Sequence, residues 1–519
     1  MTTIPRRAAV LLSLAGLSTL LAGLAACSEG DASTADPVST VAPAAETAPG
    51  IALKTWQGSQ TITLDGDVSE WPQDAAAVAD AHWLYLRFTL GGQTRTLQGM
   101  DTPVSIWLDT DGNPQTGRAI EEPAVEGGLG ADIEIIFSPR EVDAQRPGSG
   151  VMFRVHQPDG TARVVPHEQL GFHFAPTYAS EWYEVRISRA AAEQLGLNTQ
   201  GLGSTGRMAG VVAMFNGQNE LRAWADPFEV TPPPAAPWQA QDVRVPTKPQ
   251  GAARVMTYNV EHSSPVKNPQ PFARVISALQ PDVMLFQEWV EGDADSVKAW
   301  LTAHVDDSVD WHVLKGQAWG VVVASRYPLS ELTQMNVPSP VNADQALRFI
   351  SALAQTPQGP LAVGSTHLKC CGTKDSREDR TRMAEATAIA DMLTKALAQA
   401  PGSEAWGVVI GGDMNLVGSR PPVDTIGKAV DLDSSDLLVA SPMQLGDQVM
   451  YTWDDPGSAY TPGRLDYLLY SDGVTEAVNT FVLDSRKLSE AALARLGLDA
   501  TDTTGSDHLP VIIDVRPTR

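Results

Sequence analysis

Cysteine is nearly missing from this chain: three occur in 519 residues. Two of them, Cys370 and Cys371, are adjacent. They cannot tie distant parts of a fold together, although an oxidising compartment would allow a strained disulfide between neighbours. Basic residues are also scarce. Against 62 Asp and Glu stand 37 Lys and Arg, a formal net charge of −25, and so acidic a molecule is repelled at long range by polyanions and anionic lipid. That argues against tight, charge-driven DNA binding without excluding phosphate chemistry, because a bound divalent cation can offset local carboxylates. Apolar material is not scarce. A hydrophobic share of 43% against 19% charged is ordinary for globular protein, and 519 residues exceed what one core usually supports, so two or three domains are expected.

The chain opens on a targeting pattern. Arg6-Arg7 make a positive region, residues 8–21 an apolar stretch, and Leu24-Ala25-Ala26-Cys27 follows. This resembles a bacterial lipobox. The resemblance implies a lipoprotein signal peptide over residues 1–26 and lipidation of Cys27, an anchor to the cell envelope that leaves no transmembrane helix. Ser28 leans the expectation toward the outer membrane. Residues 27–50, rich in Ala, Ser, Thr and Pro, read as a disordered tether. Residues 231–250 read as a semi-rigid linker, because Thr231-Pro232-Pro233-Pro234-Ala235-Ala236-Pro237 lacks the donors for a ladder or a helix.

Between these breaks, residues 51–230 show short apolar strands separated by Gly, Pro and Asp turns, among them Val104-Ser105-Ile106-Trp107-Leu108 and Tyr183-Glu184-Val185-Arg186-Ile187. Such spacing predicts an antiparallel β-sandwich. With Leu64-Asp65-Gly66-Asp67 running on to Glu70-Trp71, and Asp109-Thr110-Asp111-Gly112-Asn113, the segment resembles family 9 carbohydrate-binding modules. The resemblance leaves two roles open, glycan contact or spacing of the rest of the chain from the membrane. Asp109, Asp111 and Asn113 alternate as calcium-loop ligands do, but the closing glutamate of an EF-hand loop is not in place, so a structural Ca2+ and no metal are both open. Trp71, Trp83 and Trp107 lie within or beside apolar strands and are expected in the core.

From residue 251 to 519 strands alternate with helices. Arg254 to Tyr258 reads as a strand, Phe272, Val275, Ile276 and Leu279 share a helical face that Pro281 ends, and Val283-Met284-Leu285-Phe286 suits a strand buried on both faces. Similar runs return at 320–325, 361–365, 407–410 and 511–515, with an Ala-rich helix over about 376–398. Polar residues cluster where these strands end: Asn259, Gln287-Glu288, Thr366-His367, Gly412-Asp413-Met414-Asn415, and Ser506-Asp507-His508 before the last strand. Loop ends of a layered sheet are where sites collect. Carboxylates and an amide can hold a hard cation, Asp413 can align water, and His367, His508 and Asn415 can donate to phosphate oxygens. Asp466, inside an apolar strand, requires a partner. Arg348 is a candidate phosphate contact or a plain ion-pair residue.

Met256-Thr257-Tyr258-Asn259-Val260, Gln287-Glu288, Ser325-Arg326-Tyr327-Pro328, Thr366-His367-Leu368, Gly412-Asp413-Met414-Asn415, Arg464-Leu465-Asp466-Tyr467 and Ser506-Asp507-His508-Leu509-Pro510 occur in this order. The ordered set resembles the endonuclease/exonuclease/phosphatase superfamily. The resemblance implies that the C-terminal half is an α/β (α+β) four-layer sandwich with two packed mixed sheets. It implies Asn259, Glu288 and Asp507 as metal ligands, with Mg2+ first and Mn2+ as the alternative. His508 would be the acid/base or phosphate-stabilising imidazole, fixed in its tautomer by Asp466. Asp413 would position water and Asn415 a phosphate oxygen, and His367 matches the second histidine of the deoxyribonuclease and sphingomyelinase branches. The expected substrate is a phosphate ester, with extracellular nucleic acid first and a phospholipid head group or small phosphodiester second. Against DNA, the densest basic group, Lys369, Lys374, Arg377, Arg380 and Arg382, is interleaved with acids. Against a sphingomyelinase, no apolar hairpin with paired aromatics is evident. A non-catalytic, glycan-binding surface lipoprotein is the third reading, and the chain is expected to be a monomer.

Overall fold

The period-two patterning of the N-terminal half builds two packed sheets. The computed structural model describes residues 50–518, apart from 142–143, 158–159, 199, 217, 219 and 429–434. The signal peptide, Cys27 and nearly all of the tether lie outside the described residues. One sheet runs Lys54–Gln57, Phe228–Thr231, Met208–Phe215, Val104–Asp109, Ile133–Phe137, Val151–His156 and Ala162–Val165, with Leu221–Trp224 paired beside Met208–Phe215. The other runs His173–Ala175, Trp182–Ser188, Trp83–Thr89 and Ala77–Ala79. Pairing within these two sheets is antiparallel except between Lys54–Gln57 and Phe228–Thr231, which are parallel. Alternation decides the faces: Leu84, Leu86 and Phe88 enter the core between the sheets, while Trp83 and Tyr85 pack the other way against Ile62, Trp71 and Val78. Trp71, Trp83 and Trp107 are buried, as packing residues.

The C-terminal half stacks two mixed sheets between helices. The first runs His312–Lys315, Val322–Ser325, Val283–Gln287, Ala253–Asn259, Val511–Pro517, Thr475–Val482 and Met443–Gln444; the second runs Leu329–Glu331, Phe349–Thr356, Gly359–His367, Gly407–Asp413, Asp466–Tyr470 and Leu438–Val439. Val255, Leu285, Val363, Val409 and Ile513 fill the space between the sheets. Helix Pro269–Leu279 covers the first sheet with Phe272, Val275, Ile276 and Leu279, and ends where Gln280 turns left-handed at φ 50°. Helix Arg377–Gln399 covers the second with Ile389 and Leu393; Ser376 caps it by accepting from Asp379 N at 3.1 Å. Among the described residues no helix is long and apolar enough to cross a membrane.

A buried ion pair joins the two halves. Arg186, on strand Trp182–Ser188, donates from Nη1 and Nη2 to both oxygens of Asp447 at 2.7 Å each, and Lys487 Nζ reaches the same carboxylate at 3.0 Å. The Arg186 guanidinium lies 3.9 Å from the Trp83 ring, and His173 stacks on Tyr451 at 4.8 Å. The Pro-rich segment is hydrogen-bonded at its flanks to both halves, Ala236 N to Ala81 O at 2.8 Å and Gln241 N to Lys487 O at 3.0 Å.

Removing one partner of a buried pair strands the other charge, at a cost of about 3–5 kcal/mol. Arg186→Ala should lose about that much in denaturant unfolding. Burial alone would raise the Asp447 carboxyl, but Arg186 and Lys487 outweigh it and hold the group far below the usual carboxylate range. A lowered native value contributes stability that is complete above the unfolded value and lost as pH falls through the native one. The deficit of Arg186→Ala should therefore persist down to about pH 4 and shrink only in stronger acid; a deficit that vanished near neutrality would show that the pair is not its source.

Candidate active site

The site forms because neighbouring strands end together. Strands Ala253–Asn259 and Val283–Gln287 are parallel, as are Gly359–His367 and Gly407–Asp413, so each sheet delivers two adjacent polar ends: Asn259 with Glu288, and His367 with Asp413. Asp466 faces Asp413 across the antiparallel pairing with Asp466–Tyr470. Two turn residues are held in the left-handed region, Glu288 at φ 60° and Asn415 at φ 50°. A glutamate there is strained, and the strain turns its carboxylate toward the site.

Asp466 has the partner its burial demands. His508 Nδ1 lies 2.7 Å from Asp466 Oδ2, which also accepts from Thr452 Oγ1 at 2.7 Å. The carboxylate places a proton on Nδ1 and leaves Nε2 to face Asp413 Oδ2 at 3.8 Å and Asn259 Nδ2 at 3.4 Å. Burial works against a charged ring, yet Asp466 and Asp413 outweigh it and push His508 up to about 10. Asp413 is pushed up to about 8, chiefly by burial, with Asp466 and Glu288 adding and His508 opposing. Burial, Arg348 and His508 hold His367 well below its ordinary value, so its ring is neutral and free to accept.

Asn259 Nδ2 donates to Glu288 Oε1 and Asp413 Oδ2, each at 3.2 Å, while its oxygen accepts from Glu261 N at 3.1 Å. Asn415 Nδ2 donates to Asp413 Oδ2 at 2.9 Å and Leu368 O at 3.2 Å. Asp507 stands at the cavity wall, where its carboxylate accepts from Trp453 Nε1 at 2.9 Å. Arg348 donates from Nη2 to Glu385 Oε1 at 2.9 Å. Trp289 is a core residue packed on Phe286 and Trp300. Sequence reasoning passed over His262: its backbone N donates to Glu288 Oε2 and its Nδ1 meets the same oxygen, both at 3.0 Å. The signal that was available is its place three residues past Asn259 at a strand end. Trp319, half-exposed, stands edge-on to His367 at 6.2 Å.

The donor set fits a divalent cation. Glu288, His367 and Asp413 each offer a ligand atom within 4.8 Å of the others, and it is His367 Nε2 that faces the carboxylates, 3.8 Å from Glu288 Oε1 and 3.5 Å from Asp413 Oδ2. Two carboxylates and a neutral imidazole this close suit a hard or borderline ion. In the sandwich, Asp109, Asp111 and Asp132 are similarly grouped, and Asn113 N donates to Asp109 Oδ1 at 3.1 Å and Asp111 Oδ1 at 2.8 Å. Two cavities meet over the main cluster. One, of about 500 Å³, holds Asp413, Asn415, Asp507 and His508; the other, of about 1300 Å³, holds His262, Trp319, Arg348 and Lys369; Glu288, His367 and Cys370 line both. Cys370 and Cys371 are free thiols.

Magnesium or manganese ions should raise the melting temperature of the protein. A hundredfold excess over Kd is worth about 2.7 kcal/mol, several degrees. Glu288→Gln should remove most of that rise, and an undiminished rise in the variant would place the ion elsewhere.

The chain matches known proteins over its C-terminal half. Residues 256–508 match the Endonuclease/Exonuclease/phosphatase family. Among solved structures, sphingomyelinase C from Streptomyces griseocarneus is 17% identical, covering 51% of this chain and 99% of that one, with a TM-score of 0.35. An AP endonuclease from Archaeoglobus fulgidus is 16% identical over 50% of this chain and 98% of that one, TM-score 0.33. TDP2 of D. rerio, humanized by 14 mutations, is 16% identical over 51% and 100%, TM-score 0.34. No curated protein matches. Residues 256–508, which carry the site, are thus the part of the chain that matches the Endonuclease/Exonuclease/phosphatase family.

Proposed function

We propose that this domain hydrolyses a phosphodiester bond, in nucleic acid before other esters, with Mg2+ or Mn2+ as cofactor. The observation that carries the reading is the charge-paired Asp466–His508 couple set beside the Glu288, His367 and Asp413 cluster. Glu288 is the ligand named by both the resemblance and the geometry, with His367 and Asp413 beside it, Asp507 at the wall and Asn259 bracing the carboxylates. A divalent cation held there would supply Lewis-acid stabilisation of charge developing on the phosphoryl oxygens. His508, charged and held by Asp466, donates from Nε2 to a phosphoryl oxygen. Asp413, in its ionised form, orients water and takes its proton as the water oxygen bonds to phosphorus and the bond to the leaving oxygen breaks, the leaving oxygen taking its proton from solvent. Asn415 spends its amide hydrogens on Asp413 and Leu368 O and so keeps that carboxylate aimed.

Trp319 favours nucleic acid as the substrate. It stands exposed beside a groove that also holds Lys369, Arg377 and Arg380, an arrangement suited to stacking a base and following a strand's phosphates. The lipobox-like segment ending at Cys27 supports a place at the cell envelope, lipid-anchored at the outer membrane.

The test is cleavage of plasmid and of single-stranded oligonucleotide with Mg2+. EDTA should abolish cleavage, and His508→Ala should slow it by at least about a hundredfold with unchanged circular dichroism. Full activity in that variant, or in EDTA, would remove the proposal. Trp319→Ala should weaken single-strand binding by about 1–3 kcal/mol, read as a raised KM.

A further inference from the structure

The sandwich lies directly against the catalytic centre. Its segments 96–100 and 145–151 meet segments 370–374 and 455–461 of the C-terminal half. Val151 N donates to Ala459 O at 2.8 Å, Thr461 N to Gln98 Oε1 at 3.2 Å and Lys374 N to Thr96 Oγ1 at 3.0 Å. The contact is close, and at Gly150 it needs glycine, which stands at φ 75° against backbone. A Cβ on Gly150 would stand 2.3 Å from Ala459 O, and one on Gly99 2.3 Å from Thr373 Cγ2. The cavity of about 500 Å³ that holds Asp413 and His508 is therefore walled from both halves, with Gln98, Gly99, Arg146 and Ser149 on the sandwich side.

Arg146 is the cation of that wall. Its guanidinium lies 5.6 Å from the ring centroid of Tyr460, which lines the same cavity, and no carboxylate among the described residues pairs with it. The cavity it faces contains Glu288, Asp413 and Asp507. Arg146 is exposed at the rim of that cavity, where an anion brought by the substrate is its complement. Stacking on an aromatic ring keeps the guanidinium's donors oriented, and a phosphate takes two of them at once.

We propose that Arg146 is a specificity-determining residue that holds a second phosphate of the substrate beside the scissile one. The substrate class is then a phosphate ester carrying two phosphates, whose nucleotide-sized arm enters the chamber between the halves. The inference rests on the phosphoesterase reading of the site. The second phosphate has two sources, the next phosphate of a nucleic-acid strand or the terminal phosphate of a small ester.

The experiment uses the full chain with Mg2+ and two chromogenic compounds, the p-nitrophenyl ester of thymidine 5′-phosphate with and without a 3′-phosphate. The wild type should favour the doubly phosphorylated compound by at least about tenfold in kcat/KM, chiefly through KM. Arg146→Ala should bring the ratio close to unity, and Arg146→Lys should restore part of it. No preference in the wild type, or an unchanged ratio in Arg146→Ala, overturns the inference. Calorimetry with thymidine 3′,5′-bisphosphate separates this from turnover. Binding should weaken by at least about tenfold in Arg146→Ala, and equal binding overturns the inference. If neither compound is hydrolysed while binding still depends on Arg146, the hydrolytic reading fails and the phosphate site stands. A single-stranded oligonucleotide whose advantage over the bisphosphate compound disappears in Arg146→Ala identifies the strand as the source; an advantage untouched by the substitution, with the nucleoside preference lost, identifies the small ester.

Discussion

The bidentate pair of Arg186 with Asp447 is the contact on which the arrangement of the two halves depends. Both side chains are almost wholly enclosed, and an unpaired charge in such a place is costly, so neither half can cover its member of the pair without the other. Apolar packing alone would tolerate sliding between two surfaces, because it has no direction. A planar guanidinium gripping both oxygens of one carboxylate, with Trp83 on its face and Lys487 at its side, allows far less. Backbone contacts fix the same arrangement elsewhere, Leu64 N to Gln448 O at 3.0 Å and Ala179 N to Gly418 O at 2.9 Å.

The catalytic cluster shows the same physics turned to a different use. Asp413, Asp466 and Glu288 are brought together out of water, with His508 as the internal counter-charge. A stability-minded sequence would have placed apolar residues there. The strands that carry these groups are among the best packed in the molecule, lined by Val255, Leu285, Val363 and Val409, and that packing holds the repelling carboxylates in register. The left-handed Glu288 belongs to the same compromise, in which backbone strain is tolerated because the two strands around it leave no alternative.

Much of this was legible in the sequence because it is local. The face made by Phe272, Val275, Ile276 and Leu279, the buried run from Val283, and the polar residues at strand ends all depend on neighbours a few positions away. Asp466 announced a partner by standing alone in an apolar strand. What could not be read depends on distant segments. Glu385, on the helix Arg377–Gln399, pairs with Arg348 through Nη2, and Arg348 still lines the larger cavity. His262 reaches Glu288 only because residues 261–263 all turn left-handed after the strand. Asp132 comes to Asp109 by strand pairing rather than along a loop. A wall made by the sandwich, with Trp453 and Tyr460 facing it, needs both halves docked and has no signature in either alone.

The separation of Arg186 from Asp447 along the chain, 261 positions, places the two halves on different clocks. A chain made from its N-terminus presents a complete sandwich, with Arg186 still hydrated, long before Asp447 exists. Loop closure over such a distance is slow compared with forming a hairpin. The cavity walled from both halves consequently requires both to be made, and a nascent copy that ends before Asp447 carries its sandwich without that cavity.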